Sequence, residues 1–110
     1  MEKGKRKRLE KAGWKVGSAK EFLGLSDEED EFIAMKLALA EGLRRRRIQR
    51  RLTQQQVAEM LGSSQSRVAK MEAGDPSVSL DLLMQALLTM GVTRRAVAKL
   101  IAPPRESRAA

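Results

Sequence analysis

At 110 residues the chain is long enough for one packed domain and too short for two with independent cores. Hydrophobic residues make up 42% of it and charged ones 33%, but aromatics only 3%, so a core must be built from Leu, Ile, Val, Met and Ala, as in small helical bundles. With neither cysteine nor histidine present, disulfides, thiol chemistry, the usual zinc sites and imidazole catalysis are excluded.

No apolar run approaches the roughly 20 residues of a membrane helix. The basic N-terminus lacks the apolar stretch of a secretory signal, so no membrane partner and a cytoplasmic location are expected. The net charge of +8 is unevenly spread: residues 1–20 carry +6, 21–41 carry −6, 42–73 carry +6 and 74–110 carry +2. Two strongly basic blocks make a polyanion, nucleic acid first among them, the natural partner class.

Apart from Leu9, Trp14 and Val16, residues 1–20 are almost wholly Lys, Arg, Gly and Glu. That is too little apolar surface to offset ordering entropy, so a disordered basic arm is expected over 1–25. Trp14, the single tryptophan, either anchors this arm on a partner protein or stays exposed. Phe22 to Leu25 is a short apolar patch without a clear helical or loop signature.

A five-helix, all-α domain is expected over residues 26–102. Ser26 and Glu29 form a capping box, and Asp27 and Glu28 occupy the first turn, where the helix dipole favours carboxylates. Phe32, Met35, Leu39 and Leu43 then recur at the spacing of one helical face. Arg47 follows on that face, directed at the core, and so needs a carboxylate partner. The carboxylates from Asp27 to Glu31 splay around the helix with no histidine among them, which points to capping and solvation rather than to a metal site.

Thr53 and Gln56 make a second capping box, followed by Val57, Ala58 and Leu61 as an inner stripe and by Gly62 at a left-handed helix end. Ser64 caps a third helix, with Val68 and Met71 inward, ended by Gly74. Asp75-Pro76 is a loop. Ser79 caps a fourth helix bearing Leu83, Ala86, Leu87 and Met90 on one face, stopped by Gly91. Thr93 caps a fifth with Val97, Leu100 and Ile101, ended by Pro103-Pro104, and residues 103–110 form a disordered tail.

Two short helices joined by three or four residues around a glycine form a helix-turn-helix, whose second helix presents its N-terminal residues to the major groove. With Val68 and Met71 inward, Gln65, Ser66, Ala69 and Lys70 face out as candidate base readers, with Arg67 at the flank. A glutamine amide complements the N6 amino group and N7 of adenine together, while Lys and Arg reach guanine or phosphate. Thr53, Gln54, Ser64, Arg67, Arg50 and Arg51 are candidate phosphate or positioning contacts. A helix turns about 100° per residue, so the arginines from 44 to 51 cannot all face one ligand.

The string Arg47-Ile48, Leu52-Thr53-Gln54, Val57-Ala58, Leu61-Gly62, Ser64-Gln65-Ser66, Val68, Met71-Glu72, Gly74 resembles the helix-turn-helix of the phage lambda and 434 repressor and Cro family, called the XRE family. The likeness of helix layout extends over about residues 30–101. It implies that Gln54 contacts phosphate and buttresses Gln65, that Gln65 reads adenine, and that Arg47 pairs with Glu72.

The resemblance also implies that the last helices build a two-fold dimer. Met84 and Leu88, a second apolar stripe on the fourth helix, would join Val97, Leu100 and Ile101 in that interface; ordinary core filling is the alternative. No separate C-terminal oligomerisation or cleavage domain is expected. Together with the lead-in "EFLGLSDEE", this looks like the stand-alone XRE proteins, some of which are HigA-type antitoxins.

The expected function is therefore a dimeric, sequence-specific regulator of double-stranded DNA, a repressor on a palindromic operator, nucleoid-associated when bound. No cofactor, metal or enzymatic step is expected. The rival is an antitoxin whose arm, residues 1–25, wraps a RelE-like toxin partner while the chain represses its own operon. Non-specific RNA binding is disfavoured because base-stacking aromatics are scarce.

Overall fold

A computed structural model describes residues 23–102. The basic arm expected over 1–25, as far as residue 22 and including Trp14, and the tail expected over 103–110 lie outside the described residues. Five helices follow in order among the described residues: α1 Asp27–Gln49, α2 Gln54–Leu61, α3 Gln65–Ala73, α4 Leu80–Thr89 and α5 Arg94–Ile101. Among the described residues there is no strand, and the class is all-α.

Each helix begins where a hydroxyl side chain can accept from a backbone N–H that has no partner inside the helix. At α1, Ser26 Oγ accepts from Glu29 N at 3.1 Å while Glu29 Oε1 accepts from Ser26 N at 2.9 Å. Thr53 and Gln56 make the same reciprocal pair at α2, at 3.0 and 2.8 Å. Ser64, Ser79 and Thr93 cap α3, α4 and α5, each at 3.1 Å. At the other end of α2 and α3, Gly62 and Gly74 take φ of +66° and +68°, the left-handed conformation that closes a helix.

The described residues fall into two compact units, 23–34 and 35–102. The first contains the capping box and the acidic first turn of α1. In it Phe32, expected on the inner face, is 47% exposed. Helical periodicity tells which residues share a face, but not how far along the helix that face is covered.

The second unit holds the core. Leu39 and Leu43 of α1, Val57 and Ala58 of α2, Val68 and Met71 of α3, and Leu83, Ala86 and Leu87 of α4 are buried together, joined by Met90 and by Val97 of α5. Leu52, Leu61, Leu80, Leu82, Met84, Leu100 and Ile101 pack partly buried around them. Val78, in the loop between α3 and α4, is also buried; no periodic pattern marks it, because it lies in no helix. Gly42 lies close under α5: a Cβ there would run into Leu100 Cδ1.

Candidate nucleic-acid interface

Three residues, Gly62, Ser63 and Ser64, separate α2 from α3. Gly62 in the left-handed region lets Ser63 N donate to Ala58 O at 2.8 Å, which closes α2 and turns the chain at once into the next cap. Ala58 and Val57 on α2, and Val68 and Met71 on α3, are fully buried, so both helices are held by their inner stripes. What remains outward on α3 is Gln65, Ser66, Arg67 and Lys70, all exposed, with Ala69 half-buried between them. These include the four residues expected to meet base edges, and none of the described chain covers that ridge.

A hydrogen-bonded chain runs from the head of this ridge into the body. Gln65 Nε2 donates to Gln54 Oε1. Gln54 Nε2 donates to Glu72 Oε1 at 3.1 Å. Glu72 is gripped from the far side by Arg47, Nε to Oε2 at 2.6 Å and Nη2 to Oε1 at 3.1 Å, the two-pronged geometry that suits a guanidinium and a carboxylate. A third donor of Arg47, Nη1, reaches the Leu52 carbonyl at 3.0 Å. The Arg47 and Glu72 side chains are only 17% and 4% exposed. The hydrogen bond to Glu72 raises the affinity of Arg47 for its proton, against the opposing effect of burial.

The remaining arginines divide by direction. Arg44 and Arg45 lie 3.6 and 3.2 Å from Glu41 on the exposed side of α1. Arg46 Nε donates to Met90 O at 2.9 Å, and Arg50 Nη1 reaches the same carbonyl at 3.3 Å. Met90 closes α4, and its carbonyl is among those that a helix end leaves without an intrahelical partner. Arg50, expected at phosphate, is thus engaged at the end of α4, whereas Arg51 is exposed with φ of +57°. Sequence reasoning missed this double clasp because its acceptor is a backbone oxygen some forty residues on.

Thr53 and Ser64 sit at the N-termini of α2 and α3, their hydroxyls accepting from backbone N–H groups. Of the residues expected to pair two copies, Val97 is buried in the protomer's own core, and Met84, Leu100 and Ile101 are packed against it. Leu88, at 52% exposure, is the open one. In the loop after α3, Asp75 Oδ1 accepts from Ser77 Oγ at 2.7 Å and from Ser77 N at 2.8 Å. Those bonds hold the Asp75 carboxyl below the usual carboxylate range.

Among the described residues no helix is long and apolar enough to cross a membrane. The sequence profile of the Helix-turn-helix family matches residues 43–97, half of the 110-residue chain. No curated protein and no solved structure matches the chain. The matched stretch opens at Leu43 in α1, closes at Val97 in α5, and encloses every member of the Arg47–Glu72–Gln54–Gln65 chain. That family is one of DNA-binding domains rather than of enzymes, and its members of this type regulate transcription. The chain belongs to the Helix-turn-helix family, in its XRE branch, and is a DNA-binding transcription regulator.

Proposed function

We propose that the protein is a dimeric repressor that lays α3 in the major groove of a palindromic operator. The observation that carries this reading is the Gln65–Gln54 hydrogen bond at the head of an exposed helix face. It ties the candidate base reader to the start of the preceding helix, where phosphate contacts are made in this geometry. Gln65, Ser66, Ala69 and Lys70 would meet base edges. Thr53, Gln54, Ser64, Arg67 and Arg51 would meet phosphate and sugar, with Arg50 contributing only the donors that Met90 leaves over.

One recognition helix offers few contacts, and a second copy on the same duplex multiplies the effective affinity. Leu88, the exposed apolar residue of α4, would join the copies together with the partly buried Met84, Leu100 and Ile101. Occupancy of an operator blocks other proteins from it without any further surface, which favours repression over activation.

Selection of bound duplexes from a random pool tests the reading. It predicts enrichment of an inverted repeat whose half-sites lie about one helical turn apart. Binding that is equally tight to every recovered sequence would contradict it.

A further inference from the structure

We infer that Glu72, from a buried position, sets which bases Gln65 accepts, by fixing through Gln54 the direction in which the Gln65 amide points. This rests on the reading of Gln65 as a base-contacting residue and adds a specificity-determining residue behind it.

A glutamine amide has two ends of similar shape and opposite character, a carbonyl that accepts and an NH2 that donates. Unrestrained on a helix surface, Gln65 can turn either end outward. With its carbonyl forward it suits adenine, which offers the N6 amino group beside N7, and to a lesser degree the N4 amino group of cytosine. With its NH2 forward it suits guanine, with acceptors at O6 and N7, or thymine, with an acceptor at O4.

The chain behind Gln65 removes that freedom, because its inner members work in one direction only. A guanidinium has donors and no acceptor, and an ionised carboxylate has acceptors and no donor. Arg47 donates to Glu72 twice, so Glu72 presents nothing but acceptor capacity to Gln54. Gln54 therefore turns its NH2 to Glu72 Oε1 and its carbonyl toward α3. Gln65 in turn gives one N–H to that carbonyl. Its own carbonyl and its second N–H remain, the pair that adenine complements.

Reversing Gln65 alone would set its carbonyl against that of Gln54. Reversing both would set the Gln54 oxygen against a carboxylate whose side chain is 4% exposed. The cost of a wrong base is thus passed back to a buried charge that cannot change sides.

The test applies a random duplex pool to the full-length chain and to three variants, each first required to match the parent's helical content. Glu72→Gln keeps the side-chain length but can donate as well as accept, so the relay loses its direction. It is expected to cut the preference for adenine over guanine and thymine roughly tenfold at the one half-site position that Gln65 meets. Preferences at other positions and the salt dependence of affinity are expected to hold.

Because Glu72→Gln leaves Arg47 facing a neutral group, the double variant Arg47→Met/Glu72→Gln, which strands no charge, gives the same reading if the single one fails to fold. Gln65→Ala separates the two claims. If it flattens one position while the folded Glu72 variants keep their adenine preference, the relay is wrong and the base-reading role stands. If Gln65→Ala leaves every position unchanged, both fall. A loss spread evenly over all positions in the Glu72 variants also overturns the relay.

Discussion

A guanidinium with a side chain only 17% exposed is held here by two carboxylate oxygens and a backbone carbonyl. Removing the carboxylate leaves the cation partly buried and unpaired, and also strands the Gln54 amide. Glu72→Ala is therefore expected to destabilise the fold by about 3 kcal/mol, as for a buried pair losing one member. Thermal unfolding should show a fall in Tm of more than about 10 °C; an unchanged Tm would remove the pair from the account. Glu41→Ala supplies the contrast. Its partners Arg44 and Arg45 have side chains 50% and 68% exposed, and pairs in that setting contribute less than about 1 kcal/mol, so a large loss there would contradict the ranking.

Asp75 makes the loop after α3 sensitive to acid. Its carboxyl is lowered first by the Ser77 hydroxyl and then by the Ser77 backbone N–H. A depressed folded-state value stabilises the loop above the unfolded value, and the contribution fades as pH falls through the folded one. The loop around Asp75 should hold its structure through the neutral range and loosen only in acid below the ordinary carboxylate range. Ser77→Ala should move the Asp75 midpoint upward when its carboxyl is followed by NMR. A midpoint unmoved by that change would rule out the Ser77 hydroxyl as the leading cause.

At the scale of elements, the ends of α2 and α3 use the same left-handed glycine in different surroundings. A Cβ on Gly62 would meet nothing within 4 Å, so Gly62→Ala carries only the backbone term, about 1 kcal/mol. On Gly74 a Cβ would also lie 2.6 Å from Leu37 Cδ2, the far end of a side chain that is 48% exposed and can turn aside. Urea unfolding should therefore place Gly74→Ala close to Gly62→Ala; a loss several-fold larger for Gly74→Ala would mean that Leu37 is held in place.

Helix starts and stops were legible in the sequence because they are local. Ser26, Thr53, Ser64, Ser79 and Thr93 each bond a backbone N–H three residues on. Phe32 and Val78 were not legible, since coverage of a helix face and burial of a loop residue depend on segments distant in sequence. Arg46 and Arg50 were obscured for the same reason: the carbonyl they share belongs to Met90.

For the molecule as a whole, charge and pattern indicated a nucleic-acid partner and a helix-turn-helix from composition, caps and spacing alone. Which side chains meet across the motif came instead from the family resemblance. Gln54 and Gln65 are eleven residues apart and Arg47 and Glu72 twenty-five, distances over which periodicity says nothing about contact. The proposed pairing of two copies makes its own prediction. Leu88→Glu places a charge on the most exposed apolar residue of α4, and is expected to shift light-scattering mass to that of one chain and to weaken operator binding at least tenfold. Full-strength binding by a variant that scatters as a single chain would contradict a dimeric mode.

The proposed mode of binding seats the duplex on the outward face of α3. A backbone and side-chain amide NMR titration of the full chain with a selected duplex addresses it most directly. The largest shifts are predicted at residues 64–70 and at Thr53 and Gln54, with the side-chain amide of Gln65 among them. Shifts that instead gather on the groove lined by Arg45, Arg46, Gln49 and Thr93, leaving residues 64–70 unmoved, would contradict the account.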